Sequence, residues 1–70
     1  MMPLTFANAN EEYIIKKVGG LEETKRHLEN LGFVAGGTVT VLNTIDGNII
    51  VNVKESRIAL GTKMAEKIFV

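Results

Sequence analysis

In Leu28-Glu29-Asn30-Leu31-Gly32-Phe33-Val34-Ala35-Gly36-Gly37-Thr38-Val39-Thr40-Val41 a helix stops, the chain turns twice, and a strand begins. Leu28 and Leu31 stand at helical spacing, and Gly32 can adopt the left-handed conformation that ends a helix. Gly36-Gly37 permits a second turn before β-branched alternation sets in at Val39 and Val41. The glycines also resemble the ends of a phosphate-binding loop, but that reading fails twice. Gly37 is followed by Thr38 rather than a lysine that could reach the phosphates, and the order is helix, loop, strand, whereas anion binding needs helix amides after the loop.

Outward from this centre, residues 21–31 form the one strong helix, with Leu21, Leu28 and Leu31 on one stripe and Glu22 and Glu23 near its positive end. Before it, residues 11–18 read as a strand that places Tyr13, Ile15 and Lys17 on one face and Ile14, Lys16 and Val18 on the other. Gly19-Gly20 breaks that strand. Residues 3–6 suggest a short edge strand. After the helix, residues 38–42 and 48–54 form a hairpin around Asp46-Gly47-Asn48, with Ile49, Val51 and Val53 facing the core. Glu55-Ser56 marks another tight connection into residues 57–60, where Ile58 and Leu60 point inward. Residues 62–65 predict one helical turn, and residues 66–70 a last strand with Ile68 and Val70 on one face.

About five short strands and one helix result. Strands this short cannot hide an apolar face as an open sheet, so the expected fold is mainly β: a small, partly open barrel, with the helix over one end or edge. The 70 residues fit one domain, of which about 60% of the unfolded surface would be buried. Hydrophobic residues at 46% against 23% charged supply enough material for a core. No cysteine is present to add a disulfide or a thiolate metal cluster, which suits a reducing cytoplasm.

Eight basic residues balance eight acidic ones, so sequence-independent attraction to nucleic acid is not expected. The basic pairs Lys16-Lys17 and Lys25-Arg26 read as solvated positions. No apolar run approaches the roughly 20 residues that cross a bilayer, and the first residues lack the pattern of a signal peptide. His27 stands alone with Glu23 one turn before it, which leaves most of a metal coordination shell missing. Ser56, Thr62 and the other hydroxyls have no activating base, and no spacing joins two carboxylates in an apolar cleft. The chain therefore reads as a binding module without cofactor, metal site or catalytic residues. Tyr13, Leu42, Ile45, Ile50 and Phe69 are candidates for an apolar contact surface, since alternation turns several of them from the core. Residues 11–18 or 66–70 could pair edge to edge in a weak homo-oligomer, although their lysines oppose it.

The stretch from Leu28 to Val39, with its helix, glycine, hydrophobic pair, glycine and strand, resembles the ferrous iron transport protein A (FeoA) family. Ile58-Ala59-Leu60-Gly61-Thr62-Lys63-Met64-Ala65-Glu66-Lys67-Ile68-Phe69-Val70 resembles that family's final strand, helical turn and strand. Ala35 stands where the family often has proline, and Gly61 where a larger or charged residue is common. The resemblance implies an SH3-like barrel over residues 1–70. It also implies a cytoplasmic accessory role in bacterial ferrous iron uptake, through contact with the G-protein region of the FeoB membrane transporter. Tyr13, Lys25, Arg26, Phe33 and Val34 are the expected partner-contact residues. Two alternatives stand beside this role: a stand-alone relative of the SH3-like regulatory domain of metal-dependent repressors, and a direct ferrous-iron-binding protein.

Overall fold

Two-residue turns set the larger sheet. In the computed structural model, which describes residues 1–70, Thr38–Ile45 (β3), Asn48–Val53 (β4) and Ser56–Gly61 (β5) form an antiparallel meander. The first turn places Asp46 and Gly47 at φ 49° and 79°; the second places Lys54 and Glu55 at 49° and 64°. Positive φ at both central residues matches the twist of the flanking strands, which favours this turn in short hairpins. The second turn thus falls one residue earlier than Glu55-Ser56, and Ser56 already belongs to β5. Register pairs Val39 with Val53, Val41 with Val51 and Ile49 with Leu60, so these six side chains share the inner face, and all are buried. A bulge between Val41 and Asn43 shifts the pairing, and β3 runs on to Ile45 rather than ending at residue 42.

The expected strand over residues 11–18 is two strands in two sheets. Glu12–Ile14 (β1) pairs with β3, giving the order β1-β3-β4-β5. Lys17–Val18 (β2) pairs instead with Ile68–Phe69 (β6). The corner is Ile15: its N–H donates to the Gly37 carbonyl at 2.8 Å, and its carbonyl accepts the Gly36 N–H at 2.8 Å. Lys16 then donates to the Phe69 carbonyl at 2.8 Å. Ile15 and Val18 are both buried although simple alternation puts them on opposite faces, because the chain rotates between them.

Glu22–Leu31 (α1) ends as its sequence demands. Gly32 takes φ 112°, its N–H reaching the Glu29 carbonyl, while the Phe33 N–H donates to the Leu28 carbonyl at 3.0 Å. That pair of bonds satisfies the last carbonyls of the helix, and its usual hydrophobic companion is present in Leu28 and Phe33, both fully enclosed. Leu21 does not join the buried stripe: it precedes the helix in extended conformation and is 80% exposed.

Residues 3–6 are not a strand. Pro3 makes a lone antiparallel bridge to Phe69, and Leu4–Phe6 form one 3-10 turn that buries Leu4 and leaves Phe6 outside. Met2 and Val70 exchange two backbone bonds of 2.8 Å, so the N-terminal segment lines the second edge of β6. The expected helical turn is present as Thr62–Ala65 (α2), which buries Ala65 against the core. Six strands, one helix and two short turns enclose 14 buried side chains, all hydrophobic. The result is the mainly β, partly open barrel expected from the pattern.

Candidate functional site

Gly19-Gly20 reverses the chain between β2, which forms a ribbon with β6, and α1, so the helix packs beside β2. Helical spacing puts Lys25 and Glu29, four residues apart, on the side facing that ribbon. The bonds from Ile15 to Gly36 and Gly37 hold the loop after α1 beside residue 16. A groove of about 250 Å³ opens between these three elements, lined by Lys16, Lys17, Val18, Lys25, Glu29 and Ala35. Val18 is buried at its base, and Lys16 and Lys17 are exposed along one wall. Lys17 extends over Phe69, its Nζ lying 6.0 Å from the ring centroid, within the range of cation–π attraction.

The outward face of α1 is different in chemistry. Glu22, Glu23, Arg26, His27 and Asn30 border a broad depression with no apolar side chain in its lining. His27 and Glu23 both line it, but no three of the His, Asp and Glu side chains converge in a group able to hold a metal ion.

The five expected contact residues are dispersed by this geometry. Lys25 lines the groove and Arg26 the opposite helix face. Val34 is half-buried next to Ala35. Tyr13 is half-buried against the core; its hydroxyl accepts the Asn8 N–H and donates to Glu11 Oε2, each at 3.0 Å, and so pins the preceding loop to β1. Phe33 corrects the expectation outright. It is 0% exposed, because the residue two past the helix end must fold back onto Leu28, and it offers no atom to a partner. Among the other apolar candidates, Ile45 is 50% exposed, whereas Leu42, Ile50 and Phe69 are half-buried.

Lys16 and Lys17 are the groove residues that a solvated-pair reading passes over. Their signal lies in placement: two basic pairs flank the Gly19-Gly20 reversal, and a reversal folds one pair toward the other.

A family model described as the FeoA domain matches residues 2–70. The chain is 36% identical over 70 residues to a protein of Methanocaldococcus jannaschii named as an Fe(2+) transport protein A, spanning 100% of this chain and 85% of that one. The crystal structure of Stenotrophomonas maltophilia FeoA complexed with zinc superposes with a TM-score of 0.88 at 25% identity, covering 100% of this chain and 89% of the other. A manganese-dependent transcriptional repressor shares the fold, with a TM-score of 0.87 at 18% identity over 97% of this chain and 39% of its own.

Proposed function

The chain belongs to the FeoA family, and from that premise we propose that it is a cytoplasmic accessory protein of ferrous iron uptake that binds the G-protein region of a FeoB-type membrane transporter. In this reading residues 1–70 act as one SH3-like domain, by contact and without catalysis. The observation that carries it is the groove between α1 and β2, where Lys25, Lys16 and Lys17 stand beside Val18 and Ala35 and give a docking face with charged and apolar lining; Val34 adjoins Ala35 in the chain but does not line the groove. Arg26, on the opposite helix face, and Tyr13, on β1, do not line it.

Binding alone changes nothing in a transporter. To act, the chain must hold one state of its partner more tightly than another, and the shift it produces is bounded by that difference in affinity. No helix is long and apolar enough to cross a membrane.

The test is a binding isotherm between the purified chain and the purified cytoplasmic region of a FeoB-type transporter from the same cell, in each nucleotide state. Saturable binding that differs between states is expected. Equal binding in every state would remove the regulatory mechanism, and no binding would remove the adaptor role. A stoichiometric ferrous-iron site in equilibrium dialysis would favour direct iron binding instead.

A further inference from the structure

The groove beside α1 concentrates positive charge on a chain whose formal net charge is zero. Its lining carries three lysines, Lys16, Lys17 and Lys25, against one glutamate, Glu29. Glu29 follows Lys25 by one turn, the less favourable order for an ion pair on a helix, while Glu22, three residues before Lys25, lines the other depression and not the groove. Beside these charges the lining has two apolar residues, the buried Val18 and the exposed Ala35. Lys17 Nζ lies 6.0 Å from the Phe69 ring centroid, at the outer limit of cation–π attraction.

We infer that this groove seats an extended acidic segment of a partner protein, its carboxylates on Lys16, Lys17 and Lys25 and a small apolar side chain over Val18 and Ala35. This deepens the adaptor reading and rests on it for the identity of the partner. The lysines come from two elements and lie along opposite walls, a layout that suits charges distributed along a chain. In an extended peptide every second side chain falls on one face, nearly 7 Å apart, so a carboxylate at one position and a small apolar group two residues on can meet lysine and apolar lining in turn. Exposed charge pairs are individually weak, but several of one sign steer association and choose between partners.

The experiment follows backbone amide shifts of the isotopically labelled chain during titration with a synthetic peptide in which Glu and Ala alternate at every second position, with Ser between them. Parallel titrations use its Gln-for-Glu counterpart, inorganic phosphate, and the transporter's cytoplasmic region. Saturating shifts confined to residues 16–18, 25, 29 and 35 are expected with the acidic peptide, and none with the Gln peptide. Affinity should fall steeply between about 0.01 M and about 1 M salt, as the screening length drops from about 30 Å to about 3 Å. The double variant Lys17→Glu/Lys25→Glu should weaken peptide and transporter binding roughly tenfold, while Lys17→Arg/Lys25→Arg retains both. Unchanged amide shifts outside the groove show that the charge-reversed chain is folded.

If the transporter region binds the charge-reversed chain as well as the parent, the groove assignment is overturned while the adaptor reading stands. If the acidic peptide fills the groove but the transporter region does not bind, the groove is an acidic-segment site and the adaptor reading falls. Equal shifts with phosphate alone would reassign the groove to a small anion. Concentration-dependent shifts without ligand would reassign it to a second copy of the chain. Either result overturns the proposal.

Discussion

The meander of β3, β4 and β5 and the ribbon of β2 and β6 obey opposite logics of chain closure. In the meander, each strand meets the next after a two-residue turn, and pairing runs six residues deep between β4 and β5. In the ribbon, Lys17 pairs with Phe69 and Val18 with Ile68, across 52 and 50 positions by subtraction, in a ladder only two residues long. Closing a long loop costs entropy before its contacts return anything, so the ribbon must lean on side-chain burial more than on its own hydrogen bonds. Ile15, Val18 and Ile68 supply that burial, and the groove is built on the part of the barrel that depends on it.

The heaviest blow to this division is Phe33→Ala. Phe33 is wholly enclosed and joins the end of α1 to the common core, so its loss should lower the unfolding free energy by about 3–5 kcal/mol in a denaturant titration. A loss below 1 kcal/mol would mean that helix and barrel are only loosely coupled. Gly32→Ala comes next, at about 1–2 kcal/mol, since an alanine must hold φ 112° with its Cβ 3.3 Å from Lys54 Cδ. Hydrogen exchange then sharpens the contrast itself: the amides of Lys16, Gly19 and Val70 should exchange roughly tenfold faster than those of Val51 and Val53. Uniform protection would erase the distinction between ribbon and meander. The smallest effect is a gain. Lys54→Asn with Glu55→Gly relieves two non-glycine residues at positive φ and should raise stability by about 1 kcal/mol, read as a higher melting temperature.

The same division separates what the sequence discloses from what it hides. Gly32 announces the helix stop, Asp46-Gly47 announces a hairpin, and the alternation of Ile49, Val51 and Val53 marks a core face; each signal is complete within a few residues. The Lys54-Glu55 turn carries neither glycine nor asparagine, which is why composition places it one residue late. The corner at Ile15 is hidden more deeply. Residues 13–18 carry apolar side chains at both parities, so nothing local says that pairing switches from β3 to β6. Lys25 is recognisable as a surface candidate on α1, but the groove needs Lys16 and Lys17 on the opposite wall, and their position follows from that distant switch. Phe33 misleads for the converse reason: a hydrophobic residue just beyond a helix reads equally well as a staple or a contact, and only the tertiary fold selects the staple.

The meeting of Gly32 with Lys54 has an evolutionary consequence. The helix stop and the second hairpin turn share one small volume, since a Cβ at position 32 would press on the Lys54 stem. Changes at these two positions are therefore not independent: a side chain at 32 is tolerated better beside a short residue at 54 than beside lysine. Among homologues the pair should covary, and the effect of substituting one member should depend on the size of the other.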